Sequence, residues 1–236
     1  VTPDGMYVVG WWWEYDDSSY YGSIYGYIVP FAYDVLKDRI TVLPVGDNIY
    51  PLAGVSPYGV SPDHHIVGCE QSDAMMAVYW EDEYTPFEYV YFEYDAEYNP
   101  VYALGDTQNL FSQTGRYIYG KAIDYQGGQA ELAAAYDRET ETLMTFTGDS
   151  VTAMTDDGVA FLNDVPYYLG TTSYVIDTTK GEPYEWAELE EWLFDEHNVD
   201  IASFEPTTDT DETDGLLLEG IITVAVSENG RVIVGM

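Results

Sequence analysis

A short motif that recurs five times is the feature of this sequence that most constrains its fold. Each copy has a Ser or Thr, a turn that usually ends in Gly, and an apolar stretch that often closes on another Gly. The copies are Val1–Gly10, Val60–Gly68, Phe111–Gly120, Met154–Asn163 and Val226–Gly235. The Ser or Thr positions are 2, 61, 112, 155 and 227, so successive copies lie 59, 51, 43 and 72 residues apart. Spacings near 40–50 residues are typical of repeated β-sheet units, with insertions lengthening two of these.

The residue types of the motif predict a tight turn that leads into a buried strand. Ser, Thr and Asp side chains hydrogen-bond to nearby backbone groups, and Gly adopts the positive φ that such a turn needs. The strand that follows is apolar at successive positions, as expected where neighbouring sheets cover both of its faces. Between the copies, a second signal marks a hairpin, in which an apolar stretch ends in Asp before a polar turn. It falls at Tyr33-Asp34, Tyr94-Asp95, Tyr136-Asp137 and Ile176-Asp177.

Together the two signals predict an all-β, β-propeller-like fold of radially repeated, four-stranded antiparallel blades. The chain would hold four full repeats and the first strand of a fifth, as one domain over residues 1–236. The expected repeats are roughly 1–59, 60–110, 111–153, 154–225 and a partial 226–236. The composition favours the same class, because 24 Tyr and 6 Trp suit pleated, half-buried surfaces.

One helix is expected near residues 184–196. Trp186, Leu189, Trp192 and Leu193 fall at i, i+3, i+6 and i+7, which places them on one apolar stripe of a helix. Acidic residues occupy the other positions. We expect this helix to pack on the edge of the sheets.

The charge balance excludes several classes of partner. The chain has 43 Asp and Glu against 7 Lys and Arg, a formal net charge of −36. Phosphate backbones and anionic membrane surfaces are bound through clustered cations, so nucleic acid is excluded as a direct partner. No apolar run approaches the roughly 18 residues of a membrane-spanning helix.

The inventory of metal ligands predicts no transition metal and no organic cofactor. His64, His65 and His197 form no ligand pattern, and Cys69 is the only cysteine, which precludes an intrachain disulfide. We expect Cys69 to be a small buried residue. The acidic stretch Asp209–Gly215 departs from EF-hand spacing, so a solvated loop is favoured there, with calcium as the open alternative.

No catalytic residues are predicted, because no nucleophile motif or phosphate-binding loop is present and carboxylate pairs are unavoidable at this composition. The candidate ligand-binding residues are aromatic: Trp11, Trp13 and Trp80. On a strand Trp11 and Trp13 share one face, where they could stack on a sugar ring or on an aromatic side chain of a partner. The alternative for all three is packing between sheets, because large aromatics dominate such cores.

The motif copies resemble the HAF-type extracellular repeat family and related propeller-like secreted proteins of Bacteroidetes. The family's Ser-x-Asp-Gly turn before a Val-Val-Gly strand is matched best at Thr2–Gly10 and Ser227–Gly235. A further likeness is the segment Leu189–Ile201, which has Asn198 where the family has Gly. The resemblance implies a propeller-like fold and a secreted or cell-envelope location, but no activity. Residues 1–10 lack the features of a signal peptide, so we expect a mature or excised fragment.

Three functional hypotheses follow. The first is a non-enzymatic extracellular or cell-envelope binding or scaffold module that displays loops from a propeller and holds a glycan or a protein partner. The second is a carbohydrate-active enzyme, a glycosidase or lyase with a carboxylate site at the channel mouth. The third is a purely structural domain of a surface assembly.

Overall fold

The computed structural model describes residues 1–2, 4–16, 25–45, 54–70, 75–98, 100–127, 130–164, 172–199, 223–226 and 233–235. Over these ranges the strands pair antiparallel, and a single α-helix accompanies them. The prediction of an all-β fold with one helix is therefore confirmed. The chain divides into two compact units, Val1–Thr147 and Gly148–Met236.

Three antiparallel sheets make up the described part of the first unit. The strands are β1 (Tyr7–Asp16), β2 (Tyr25–Asp34), β3 (Arg39–Val42), β4 (Val55–Val60), β5 (Ile66–Glu70), β6 (Ala77–Trp80), β7 (Glu88–Tyr89), β8 (Phe92–Tyr94), β9 (Pro100–Phe111), β10 (Tyr117–Asp124), β11 (Ala130–Asp137) and β12 (Thr142–Phe146). Sheet A has the order β1-β2-β3, sheet B β4-β5-β6-β7, and sheet C β12-β11-β10-β9-β8. Strands that follow one another along the chain thus pair as meanders.

Sheet B lies between sheets A and C, and each of its faces contributes to a hydrophobic core. The core shared with sheet A contains Tyr7, Ala32, Leu43, Val55, Val60, Ile66, Val78 and Trp80. The core shared with sheet C contains Val67, Ala77, Leu104, Ile118, Ala122 and Ala134. Strand β5 is buried at every position, which explains why its sequence is apolar without alternation.

The three sheets stack so that the corresponding face of each sheet points in the same direction. Val8, Ile66 and Ile118 each follow the residue that closes the recurring turn; Ile66 packs toward sheet A, and Ile118 packs toward sheet B. The corresponding face of sheet A carries Val8 together with the neighbours that the strand register places beside it, including Ile40 and Val42. Ile40 and Val42 are 60% and 54% exposed. Sheet A therefore exposes an apolar face, whereas the corresponding faces of sheets B and C are covered by sheets A and B.

The second unit contains sheet D and a short pair of strands, sheet E. The strands are β13 (Ser150–Met154), β14 (Val159–Asp164), β15 (Thr172–Asp177), β16 (Trp186–Glu188), β17 (Thr223–Val226) and β18 (Ile233–Gly235), with a 3-10 helix at Thr178–Lys180 and α1 at Leu189–His197. Sheet D has the order β13-β14-β15-β16, and β17 pairs with β18. Leu189 of α1 is buried with Ala153, Phe161 and Val175 of sheet D.

The Ser or Thr of the recurring motif closes its turn in the same way in the four copies that the structure describes. The residues are Thr2, Ser61, Ser112 and Thr155, and each is at most 4% exposed. In every copy the side-chain oxygen accepts a 3.0 Å hydrogen bond from the backbone N–H of the turn's closing residue. That residue's carbonyl accepts a 2.9 Å bond from the Ser or Thr N–H. The fifth copy, at Ser227, lies outside the described residues.

One residue in each turn adopts a positive φ. It is Gly5, Gly115 and Gly158 in three copies, with φ of 72°, 83° and 92°. The turns of the second and fourth copies are one residue shorter than those of the first and third. In the second copy His64 takes the positive φ, at 70°. Its imidazole stacks on the Tyr7 ring of sheet A, with ring centres 4.3 Å apart.

Three of the turns lie inside the sheets. The β4–β5 and β13–β14 turns join the first and second strands of sheets B and D, and the β9–β10 turn joins the second and third strands of sheet C. The predicted repeat boundaries, which lie at the turns, are therefore offset by about one strand from the boundaries of the sheets. The single propeller-like domain and its five repeats remain a prediction.

The second signal marks a hairpin at all four places, but one of the four occupies a different position in its sheet. Asp34, Asp137 and Asp177 end the strand that pairs with the motif strand, and each accepts a backbone hydrogen bond in the following turn. Tyr94-Asp95 instead lies in the β8–β9 hairpin at the far edge of sheet C. Its chemistry is the same, since Asp95 accepts from the Glu97 N–H, so the local pattern alone did not distinguish the two positions.

The helix begins later than its apolar periodicity predicts. Residues 184–188 are not helical: Trp186–Glu188 form β16 and pair with Tyr174–Ile176 of β15. The helix spans Leu189–His197 and ends on Asn198 in the left-handed conformation, where the resembled family has Gly. The unpaired edge of β15 offers Trp186–Glu188 backbone hydrogen bonds that a first helical turn lacks, so pairing prevails over periodicity.

Candidate functional site

The cluster of aromatics on β1 places two of the three predicted ligand-binding residues on the surface. Trp11 and Trp13 are 40% and 51% exposed. They lie on one face of the strand, opposite Pro30 and Ile28 of β2. Their rings meet edge to face, with centres 6.2 Å apart and planes at 88°. Two half-exposed indoles at right angles form a corner that can contact two sides of a ring-shaped ligand.

Trp12 lies between them on the opposite face of β1. It is 37% exposed, and its ring centre lies 5.3 Å from that of Phe31. The Phe31 ring in turn covers Gly10, where an added Cβ would lie 2.9 Å from the ring tip. Trp12 therefore belongs to the apolar outer face of sheet A and not to the Trp11–Trp13 pair.

Trp80, the third candidate ligand-binding residue, occupies the position of the alternative, packing between sheets. Trp80 is completely buried in the core between sheets A and B. Its Nε1–H donates to the Pro44 carbonyl at 2.9 Å, and its ring packs edge to face on Phe87. Because sheet A covers this face of β6, the indole has no surface to offer a ligand. The signal was present in the neighbouring residues, since Ala77-Val78 are apolar on both faces of the same strand.

A cluster around Arg138 joins the turn ends of sheets B and C. Nη1 donates to the Gly115 carbonyl at 2.7 Å, and Nη2 lies 2.7 Å from the Tyr79 hydroxyl and 2.6 Å from His65 Nδ1. The guanidinium also sits 5.0 Å from the centre of the Tyr79 ring. Each contact spans many residues of sequence. Arg138 thus fixes the turn of sheet C against that of sheet B.

His65 is held as a neutral imidazole in this cluster. Burial lowers its pKa, and the Arg138 guanidinium lowers it further, which outweighs the opposing effect of Asp63. The geometry agrees, because an Nδ1 that accepts from Arg138 carries no proton. Burial would raise the pKa of Asp63, but hydrogen bonding to Ser61 and nearby positive charge, including that of Arg138, lower it overall.

Ser61, Asp63 and His65 bring together the residue types of a hydrolase triad without its arrangement. The Ser61 hydroxyl donates to Asp63 at 2.5 Å and accepts from the His65 backbone N–H at 3.0 Å. In a triad the hydroxyl donates to the imidazole, which the acid orients. Ser61 is also only 1% exposed. The group stabilises a turn.

A pocket that the sequence did not indicate lies between β4 and β9, at the turn end of sheets B and C. Its volume is about 210 Å³, and the lining includes Tyr58, Gly59, Leu110, Phe111, Ser112 and Tyr119. No acidic or basic side chain lines it. It is called the β4/β9 pocket below. The sequence could not reveal it because two strands about 50 residues apart must stack to form it.

The other expectations concern metal ligands and the thiol of Cys69, and one of them falls on residues that the structure does not describe. Cys69 is buried, as predicted. Within the described ranges, no three His, Cys, Asp or Glu side chains converge as metal ligands. The acidic stretch Asp209–Gly215 lies outside those ranges. Within the same ranges, no helix has the length and apolarity needed to cross a membrane.

Comparison with known proteins identifies no family for this chain. No family model matches the chain, and no curated protein matches it. Among solved structures, the chain is similar to TolB from Acinetobacter baumannii, with 12% identity and a TM-score of 0.46. The match covers 80% of this chain and 41% of that one, so the chain spans less than half the length of this structural neighbour.

Proposed function

We propose that this chain is a non-enzymatic binding or scaffold module of the cell surface or cell envelope, built as a propeller-like array of sheets. In this proposal Trp11 and Trp13 hold a neutral glycan or a side chain of a partner protein. The exposure of these two indoles is the observation that carries the proposal. An exposed aromatic face is unfavourable in water, and a ligand that stacks on it removes this cost.

The charge of the chain selects the kind of ligand. At a net charge of −36 the field of the protein repels anions over its surface. Stacking on an indole requires no charge on the ligand, so it remains available for neutral rings. Neutral glycans and aromatic side chains satisfy both conditions.

The radial arrangement is supported by two features of the first unit. Sheets A, B and C carry the same turn and stack with the same sense, which is how radially repeated sheets are built. The uncovered apolar face of sheet A, with Ile40 and Val42 more than half exposed, is where a further sheet of the array would pack. Closing or extending the array in this way would bury that face.

The test is a glycan-array and hydrolysis screen on the protein, with single Ala variants of Trp11, Trp12 and Trp13. Trp11→Ala and Trp13→Ala should each weaken binding about tenfold or more, whereas Trp12→Ala, on the opposite face of the same strand, should not. Equal effects of all three variants would overturn the site. Hydrolysis of a glycan would favour the alternative, a glycosidase or lyase, which needs two carboxylates flanking the scissile bond.

A further inference from the structure

Strand β1 has one edge with which no strand of the described residues pairs. β1 stands first in the order of sheet A, so β2 is its only partner there. The backbone of Tyr7 points away from β2, since its carbonyl accepts the hydrogen bond that closes the recurring turn. Because these directions alternate along a strand, the N–H and C=O groups of Val9, Trp11 and Trp13 point the same way. These groups form the β1 edge, and no described residue hydrogen-bonds to them.

In the other copies of the motif, the corresponding edge is occupied. The strand that follows the turn pairs antiparallel with the strand that precedes it, as β4 with β5, β9 with β10, β13 with β14 and β17 with β18. Each pairing starts beside the turn and runs for two residue pairs before the register shifts. The first pairs are Val60–Ile66, Phe111–Ile118, Met154–Ala160 and Val226–Ile233. Sheet A has no strand in this position among the described residues.

The β1 edge also lacks the features that protect an exposed strand. Free edges are kept short, or are interrupted by charged side chains, Pro or bulges, because a long free edge pairs with other chains. The strands at the opposite edges of sheets A, B and D have four, two and three residues. β1 has ten, pairs with β2 without a register shift, and contains no charged residue before Glu14. Such an edge favours the addition of a strand.

The strands that fill this position elsewhere indicate which kind of segment fits. β4, β13 and β17 contain no charged residue, and β9 contains one, Asp106. At a net charge of −36 the chain repels an acidic segment. Trp11 and Trp13 belong to the edge, and side chains directly opposite each other on paired strands lie about 5 Å apart. An added strand would therefore bring its side chains against the two indoles.

We propose that the β1 edge binds an extended, uncharged segment of a partner protein as an antiparallel strand. Hydrogen bonds to the backbone of Val9, Trp11 and Trp13 supply affinity, and the two indoles select the side chains of the segment. The inference rests on the proposed function, because it identifies the partner held at Trp11 and Trp13 as a polypeptide. The pairing of β13 with β14 gives the register, in which the residue equivalent to Ala153 lies opposite Val9 and that equivalent to Ser150 lies opposite Trp11.

The probe is a capped heptapeptide with the sequence of residues 147–153, in which Asp149→Asn removes the charge. Amide hydrogen exchange of the full chain is followed by NMR as the peptide is added. The amides of Val9 and Trp11 should exchange about tenfold more slowly, or slower still, at saturation. The Trp12 amide, which points toward β2, should keep its rate and serves as the internal control.

Two N-methylated forms of the peptide separate backbone pairing from other contacts. Ser150 pairs with Asn163, which points toward β13 because Val159, four residues earlier, accepts from the Thr155 N–H. N-methylation of Ser150 therefore removes a donor to the edge and should weaken binding about tenfold. N-methylation of Val151, whose N–H points away from the paired strand, is the matched control and should weaken binding by less than about twofold.

Equal weakening by the two methyl groups, or unchanged exchange of the Val9 and Trp11 amides, overturns the inference. A sedimentation coefficient that rises with protein concentration and falls when the peptide is added also overturns it, because the edge would then bind a second copy of the chain. Peptide binding that is the same in Trp11→Ala and Trp13→Ala supports strand addition and removes the indoles from the proposed function. Glycan binding that these variants weaken, without peptide binding, supports the proposed function and overturns strand addition.

Discussion

Sheets A and B carry the same recurring turn, before β1 and before β5, and both continue as meanders, yet their surfaces differ. Strand β5 of sheet B is buried at all five positions, whereas β1 of sheet A is exposed from Trp11 to Glu14. Both strands are apolar in sequence. Sheet B has a neighbour on each face and sheet A has sheet B on one face only. Trp12 lies on the uncovered face, whereas Trp11 and Trp13 share the face of Tyr7, which packs on sheet B, and are exposed further along the strand. The strand sequence alone therefore does not determine which aromatic residues are buried.

The largest expected difference in stability is between variants of two tryptophans, one in each sheet. Trp80→Ala should lower the free energy of unfolding by about 3–5 kcal/mol, because it leaves a large cavity and removes the donor to Pro44. Trp13→Ala, at a residue 51% exposed, should cost no more than about 1 kcal/mol. Urea denaturation of the two variants measures the difference. Similar losses would mean that β1 is covered in solution and would contradict the exposed site.

Two glycines at corresponding positions sharpen the comparison. A Cβ on Gly68 would lie 2.3 Å from the Ser56 carbonyl oxygen, which belongs to the paired backbone of β4 and cannot move aside. A Cβ on Gly10 would meet only the tip of the Phe31 ring, which can rotate on a half-exposed face. Gly68→Ala should therefore destabilise by about 1–3 kcal/mol or more, and Gly10→Ala by less. Thermal unfolding that ranks them in the reverse order would contradict the packing described for sheet B.

The turns should behave alike in both sheets, because their hydrogen bonds are alike. Thr2→Val and Ser61→Ala each leave a backbone N–H of the turn without its side-chain acceptor, at a cost of about 1–2 kcal/mol. Unfolding midpoints of the two variants should fall together. A loss of stability in only one of the two variants would show that the turn stabilises one sheet more than the other.

The smallest expected effect is a pH dependence specific to sheet B. His65 closes its turn at the position that Tyr7 occupies in sheet A, and burial lowers the pKa of this histidine. A lowered pKa means that the folded state favours the neutral form. The stability it contributes is thus complete above the ordinary histidine pKa of about 6.5 and is lost as the pH falls through the lower folded value.

Urea midpoints between pH 7.5 and pH 5.5 check this expectation. The wild type should lose stability on acidification over that range, and His65→Gln should lose less. Carboxylates with lowered pKa, such as Asp63 and Asp137, act at lower pH and leave the window clear. A variant with the wild-type pH dependence would remove His65 from the explanation.

The turns were predictable from sequence because all of their chemistry lies within a few residues. Ser or Thr, Asp and Gly at fixed spacing determine the hydrogen bonds whatever the rest of the chain does. The start of the helix was less predictable, because residues Trp186–Glu188 fit a helical stripe and also fit the free edge of β15. Sequence periodicity does not weigh a tertiary pairing against a helical turn.

The candidate sites depend on contacts between sheets, which the sequence predicts less well. Trp80 lies in the core between sheets A and B and Trp13 does not, although both belong to strands rich in apolar residues. The β4/β9 pocket requires the stacking of strands that are distant in the sequence.

The recurring turn satisfies its own polar groups, and this has a consequence for how such a chain can grow. A duplicated copy brings its donors, acceptors and positive-φ residue with it, so a new repeat needs only an apolar face to pack on. The second and fourth copies, whose turns are one residue shorter than the other two, show that the turn also tolerates deletion. Insertions between copies, which stretch the spacing from 43 to 72 residues, then accumulate without disturbing the joints. Repeat number and loop length are therefore free to vary during evolution, while the recurring turn of five or six residues keeps its hydrogen bonds.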